Sequence, residues 1–326
     1  MKNNIKINLE QFYKQYNLQE RNYNLIISSP NGYGKFEFIE AVMEKYFQDH
    51  NISVKSDVFA HPDVYYLSLP LYDKSGKLLR VINNNERLLY EFGFEEKIDN
   101  CRVGSEITID QVRGLSKFTS ITSHYNHKFI IINNCNYLNK ESSAALLKTL
   151  EETNSPAIFF LLTSEKNIIQ DTIISRCHNF KFKIETQPYS GTSFFDYYLS
   201  QIPKIQNFFT EFNYMSDYDK IENELEMLFR KKINPLSLSD LWSNRGNVLI
   251  DYLLSFFAIM MKGDYLNMNS RLKNLYLALH KKISISSDRS IEIIRLLLKR
   301  KKDLYTNVNK KLFYDNLLIV LNKKLY

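Results

Sequence analysis

Three cysteines in 326 residues, Cys101, Cys135 and Cys177, are too few, too far apart and odd in number, which excludes a disulfide framework and a cysteine-based zinc site. Nine glycines and seven prolines leave no composition for long linkers or low-complexity tracts. Long hydrophobic runs are missing too. The most apolar stretch, 249–261, is interrupted by Asp251 and falls short of the ~18 residues that a membrane span needs. The opening Met1-Lys2-Asn3-Asn4 has no apolar segment of the signal-peptide kind, so a cytoplasmic location without a membrane partner is expected. Little interleaving of aromatic with basic residues is found, and this argues against direct recognition of DNA by the chain.

What is present suits a multi-domain protein. Hydrophobic residues make up 44% of the chain, and 326 residues exceed the size at which a single core keeps growing, so two or three domains are expected. The formal charge of +7 is uneven: residues 271–326 hold fourteen Lys and Arg against four Asp and Glu. The run Lys299-Arg300-Lys301-Lys302 would suit an acidic partner, although solvated helix faces are the commoner explanation.

Two segments look like halves of a nucleotide site that have lost their chemistry. A phosphate-binding P-loop reads G-x-x-x-x-G-K-[ST] between a strand and a helix; its backbone N–H groups cradle phosphates, its lysine reaches the β/γ-phosphates and its hydroxyl binds Mg²⁺. Here the apolar Leu25-Ile26-Ile27 leads into Ser29-Pro30-Asn31-Gly32-Tyr33-Gly34-Lys35-Phe36 and a helical run. Phe36 stands where the hydroxyl belongs, Ser29 replaces the first glycine, and bulky Tyr33 sits inside the loop. Gly32, Gly34 and Lys35 remain, and a lysine at a helix N-terminus can still attract an anion. The second half of such a site is an apolar strand ending in acidic residues that hold the metal and position water. The matching strand, Phe129-Ile130-Ile131-Ile132, ends in Asn133-Asn134-Cys135-Asn136, with amides at both acidic positions.

A third segment keeps what the first two lose. The helix-like Ser142-Ser143-Ala144-Ala145-Leu146-Leu147-Lys148-Thr149-Leu150-Glu151-Glu152 and the apolar Ile158-Phe159-Phe160-Leu161-Leu162 precede Ser175-Arg176-Cys177. Singly, each is ordinary: an exposed arginine, or a buried cysteine acting as a small hydrophobe. In this order, with His61-Pro62-Asp63 and Ile107-Thr108-Ile109-Asp110-Gln111-Val112-Arg113 between them, they resemble the AAA+ clamp-loader subunits of bacterial DNA polymerase III. Within that family the pattern is similar to the delta-prime kind, which keeps the arginine finger and lacks the pocket. The ending Asn307-Val308-Asn309-Lys310-Lys311-Leu312 resembles the same family's collar, so the resemblance covers about 22–182 and 288–326 and is only positional between them.

The resemblance implies an α/β AAA+ P-loop domain over 1–182, a parallel sheet with helices on both faces, then a small helical lid over 183–235 and an all-α collar over 236–326. It implies that Arg176 acts in trans as an arginine finger, that Ser175 shapes the helix start presenting it and that Cys177 packs behind it. No cofactor and no metal are implied, since the stretch 47–60, where related chains carry a four-cysteine zinc module, has no cysteine. The implied partners are gamma/tau-type ATPase subunits and a delta subunit in a heteropentameric ring, with the sliding clamp and primer-template DNA reached through the assembly. Two other readings stay open: an active gamma/tau-type ATPase subunit, which Phe36, Asn133 and Asn134 oppose, and a non-replicative scaffold, which would have no need of the finger.

Periodicity alone predicts strands over 25–28, 64–67, 129–132, 158–162 and 180–184, alternating with helices near 37–48, 110–122 and 140–152. Asn139 is expected to cap the last of these. Residues 70–104 read as an insertion with a turn at 73–76 and a short helix over 86–94, and helices are expected over 248–261, 271–281, 288–305 and 310–325.

Overall fold

The computed structural model describes residues 2–324 except 20, 54–56, 92–97, 99–100, 126, 153–155, 165–168, 185–192, 202–217, 219, 246–247, 263–269 and 306–308. The far end of the helix expected over 86–94, much of the 183–235 segment, Asn307, Val308 and residue 325 lie outside the described residues. The chain divides into two compact units, 1–90 with 95–185, and 91–94 with 186–326.

In the first 185 residues the strands are β1 (Tyr23–Ser28), β2 (Val64–Leu67), β3 (Pro70–Tyr72), β4 (Leu78–Val81), β5 (Arg102–Val103), β6 (Lys128–Ile132), β7 (Ala157–Thr163) and β8 (His178–Lys181). The helices are α1 (Lys2–Gln15), α2 (Lys35–Asp49), α3 (Asn84–Glu91), α4 (Ile109–Ser120), α5 (Lys140–Glu151) and the single turn α6 (Asp171–Ile174). A five-stranded sheet has the order β2-β6-β7-β1-β8, every pair parallel. Its central strands β6 and β7 are apolar but for Lys128 and Thr163 and buried throughout because both faces are covered, whereas the edge strand β8 buries only Phe180. Leu25, Ile27, Phe129, Ile131, Ile158, Phe160 and Leu162 share one core with Phe38, Val42 and Phe47 of α2. Their alternates Ile26, Ile130, Phe159 and Leu161 are equally buried, toward the face on which Tyr65 of β2 meets Phe118 of α4 at 5.1 Å. The expected α/β architecture with helices on both faces is thus present, and Asn139 caps α5 by accepting from the Ser142 N–H at 2.9 Å.

Helix α1 is absent from the sequence expectations, and its docking is aromatic. The ring of Phe12 lies 5.6 Å from those of Phe38 and Phe180, which stack on each other at 5.3 Å. Asn8 accepts from the Lys183 N–H and donates to the Lys183 carbonyl, both at 2.8 Å, so an amide side chain stands in for a strand neighbour beyond the end of β8. The last strand is found at His178–Lys181 rather than 180–184, its register fixed by pairing with Leu25 to Ser28. Residues 70–104 hold a second, antiparallel sheet in the order β4-β3-β5. The turn at 73–76 joins β3 to β4: Asp73 Oδ1 accepts from the N–H groups of Ser75 and Lys77 at 2.8 and 2.9 Å. Gly104 lies so close to β3 that a Cβ there would come within 2.6 Å of Pro70 Cγ.

The second unit contains α7 (Phe194–Gln201), α8 (Ile221–Phe229), α9 (Pro235–Trp242), α10 (Val248–Lys262), α11 (Ser270–Lys282), α12 (Ser287–Lys301) and α13 (Lys310–Lys324). The helix expected over 288–305 ends at Lys301 and continues as a tighter turn, Lys302–Tyr305. Helix α10 packs on α12, and α9 on α13, around the fully buried Trp242, Tyr252, Phe256, Leu297 and Leu318. Among the described residues no helix is long and apolar enough to cross a membrane.

The second unit takes in both the segment expected as a lid and the segment expected as a collar, 186–326. A buried ion pair crosses the expected boundary. Arg245 Nη1 and Nη2 donate to the two oxygens of Glu224 at 2.5 and 2.7 Å, and Trp242 Nε1 donates to the same carboxylate at 2.9 Å. The Tyr218 hydroxyl donates to the Arg245 carbonyl at 2.5 Å. Breaking a buried pair from one side strands the other charge. Arg245→Leu is therefore expected to destabilise the protein by about 3–5 kcal/mol, read from the shift of its urea unfolding curve. The double variant Glu224→Gln/Arg245→Leu, which leaves no buried charge, is expected to lose less.

Candidate functional site

The degenerate loop follows β1. Gly32 and Gly34 take φ values of +83° and +95°, which glycine alone adopts without strain, so the loop needs both residues for its path. Gly34 begins α2 without any side-chain cap. Lys35 is 4% exposed, and its Nζ donates to the Ser29 carbonyl at 3.0 Å and to Asn31 Oδ1 at 3.1 Å, with the Pro30 carbonyl at 3.5 Å. The ammonium that would reach phosphates in a working loop is engaged by the loop's own oxygens. Tyr33, the bulky loop residue, packs against the core under α2.

The metal position is occupied by aromatic rings. Phe36 stacks on Phe59 at 4.9 Å and meets Tyr66 edge-on at 5.9 Å. Tyr66 lies on β2 and accepts from Asn133 Nδ2 at 3.1 Å. The hydroxyl position and the first acidic position are thus linked by two rings and an amide instead of an ion. Asn133 is 1% exposed, and its Oδ1 has no partner among the described residues. Asn134 adopts φ +63° and accepts from Ser68 Oγ at 3.3 Å, a left-handed position that asparagine tolerates well.

Cys135 is buried and Cys177 half-buried. Burial pushes the Cys177 thiol up to about 12 and drives that of Cys135 upward as well, so neither offers a thiolate at neutral pH. Among the described residues no three His, Cys, Asp or Glu side chains gather as a metal site. The other two quoted segments hold loops in place. The carboxylate of Asp63 accepts from the N–H groups of His124 and Tyr125 at 2.8 Å each. Gln111 donates to the Ser68 carbonyl at 3.0 Å and accepts from the Thr108 N–H at 2.9 Å, closing the start of α4.

Arg176 lies at the other end of the sheet. Its carbonyl accepts from Asn24 Nδ2 at 3.3 Å, near the start of β1, whereas the degenerate loop begins past the end of that strand. Five residue-to-residue steps, about 16 Å at the usual strand rise, separate Asn24 from Ser29. The guanidinium borders a cleft of about 200 Å³ lined by Asn22, Asn24, Glu151 and His178 among others. Arg176 Nε donates to the Glu151 carboxylate, and Nη1 donates to the Thr172 carbonyl at 3.1 Å and to Ser175 Oγ at 3.3 Å. Nη2 has no partner among the described residues, and the side chain remains 42% exposed. The expected helix start at Ser175 is instead a helix end: Ser175 closes α6, its Oγ donating to the Thr172 carbonyl at 2.9 Å. Phe59, Tyr66, Asn24 and Glu151 carry roles here that sequence reasoning did not assign. Of these only Glu151 lay inside a quoted motif, and a carboxylate at the end of that helix was the available signal.

The parallel order β2-β6-β7-β1-β8, with a glycine-bearing loop between β1 and α2, defines an open α/β protein with a P-loop-like turn. Residues 4–186 match the family described as "DNA polymerase III, delta subunit", and the chain belongs to that family, one of clamp-loader-type subunits. DNA polymerase III subunit tau of Bacillus subtilis is 41% identical over 76 residues, 23% of this chain and 14% of that protein, so the match spans about a seventh of that relative's length. A DNA polymerase III gamma subunit-related protein of Thermotoga maritima is similar in structure with a TM-score of 0.45 and 14% identity, over 98% of this chain and 100% of that one. A RuvB variant of Thermotoga maritima follows at 0.33 and 10%, over 93% and 77% of the two chains. Both scores are below 0.5, and nothing about function is drawn from them.

The residues present do not fit Mg²⁺·ATP: the hydroxyl ligand is a phenyl ring, the acidic positions are amides, and the lysine is held by its own loop. Titration calorimetry with ATP and Mg²⁺ at micromolar nucleotide is therefore expected to show no saturable binding. Binding that saturates there and is lost in Lys35→Ala would mean that the pocket works.

Proposed function

We propose that this chain is a non-hydrolysing, delta-prime-like subunit of the DNA polymerase III clamp loader, giving Arg176 in trans to the ATP site of a neighbouring subunit. The observation that carries the reading is the separation of finger and loop. Arg176 sits beside Asn24 and the loop begins at Ser29, about 16 Å further along the strand. An arginine placed there serves no phosphate in its own loop, and its exposed edge is available to another chain. A head-to-tail ring with these strands running around it would bring the strand starts of one subunit to the strand ends, and so the phosphate loop, of the next. The guanidinium would then neutralise charge developing on the neighbour's γ-phosphate, an effect of about 10³–10⁵ in rate where such fingers have been dissected.

On this reading the neighbours are gamma/tau-type ATPase subunits and a delta subunit in a heteropentamer, and the helices over 236–326 carry the ring contacts. The assembly loads the sliding clamp onto primer-template DNA, and this chain is its inert member. Arg176→Ala is expected to leave folding and assembly intact, since the side chain is exposed, while ATP-dependent clamp loading by the reconstituted ring falls by about 10³-fold or more. Arg176→Lys is expected to recover little of the loss, because an ammonium lacks the planar fork that phosphate oxygens accept. Unchanged loading by the Arg176→Ala ring would refute the assignment.

A further inference from the structure

We propose that Glu151 is a positioning residue for Arg176, holding the guanidinium so that its Nη2 edge faces outward before any neighbour's nucleotide arrives. The inference rests on the finger reading above and deepens it. A long exposed arginine has many rotamers, and freezing it at the moment of reaction costs the catalysed step; a finger already fixed avoids that cost. Four contacts fix this one. Asn24 holds the carbonyl of Arg176, the Thr172 carbonyl and Ser175 Oγ hold Nη1, and the Glu151 carboxylate holds Nε. Glu151 is the only charged acceptor among them, and it takes the Nε edge, leaving Nη2 unengaged among the described residues. Exposed ion pairs contribute little to stability, and this one is exposed on both sides, at 42% and 48%, so its orienting effect is the larger consequence.

The element that carries Glu151 is rigid. It is the last residue of α5, whose Leu146 and Leu150 are buried. Arg176 comes from a different element, the turn after α6, and lines the same cleft. The carboxylate therefore ties a long side chain to a helix packed on the core, and the two residues are too far apart in sequence, 25 positions, for local geometry to have made the contact.

The test is a double-mutant cycle in the reconstituted clamp loader, read as the turnover rate of ATP hydrolysis with clamp and primed DNA, together with the thermal midpoint of the free chain. Glu151→Ala is expected to lower turnover about tenfold, with KM for ATP and the thermal midpoint unchanged. In the Arg176→Ala background the same substitution is expected to change nothing. Glu151→Gln, which keeps an oxygen for Nε, is expected to recover most of the loss. A Glu151→Ala ring as fast as the parent, when Arg176→Ala is slow, would overturn the positioning role and leave the finger standing. An equal loss in both backgrounds would overturn it also, since Glu151 would then act without Arg176. A fast Arg176→Ala ring would remove the finger itself, and the positioning role with it.

Discussion

The parallel pairing of Tyr23–Ser28 with two strands at once, Ala157–Thr163 on one side and His178–Lys181 on the other, decides where the chemistry of the first unit lies. Parallel strands all begin at one edge of a sheet and end at the other. Whatever follows the strands, such as the loop at 29–34 and Asn133, collects at one edge; whatever precedes them, such as Arg176 before His178, collects at the opposite one. Ligands in open α/β sheets bind outside the strand ends, so an arginine at the strand starts is out of register with its own chain's binding edge. The directionality of the sheet alone separates Arg176 from the loop at 29–34.

Within the pocket, charge has given way to aromatic packing, and the substitutions support one another. Phe36 in place of a hydroxyl would leave a void or a clash unless rings were there to receive it, and Phe59 and Tyr66 receive it. The Tyr66 hydroxyl oxygen accepts from Asn133 Nδ2, a donor that an aspartate at this buried position would lack. Lys35 donates to the Ser29 carbonyl and to Asn31 of its own loop. A single reversion, such as a hydroxyl at position 36, would therefore leave the amides and the aromatic shell in place.

The central strands were legible because burial on both faces forces uninterrupted apolar runs such as Phe129 to Ile132, and α5 because Asn139 caps it. Other parts were not, for identifiable reasons. Helix α1 is polar apart from Phe12 and a few neighbours, and what holds it, Phe38 and Phe180, lies far along the chain. The strands of the second sheet are two to four residues long, and Leu78, Leu79 and Arg80 face solvent, so no alternation marks them. Glu224 pairs with Arg245 within the second unit, and a charged pair in a helical region reads from sequence as solvated surface. At the candidate site the residue types were legible, and the partners of Arg176 were not, since Asn24 and Glu151 meet it only after the sheet has formed.

Helix α5 connects these two levels. It starts at Asn139, just past the amides that replace the acidic positions, and ends at Glu151 on the finger. Twelve helical residues rise about 18 Å, close to the span of the β1 strand that separates the two edges of the sheet. The helix and its N-cap form although amides stand at the two positions shortly before it. If Arg176 acts in trans as proposed above, α5 is the element that carries its carboxylate partner at the edge of the sheet opposite the loop.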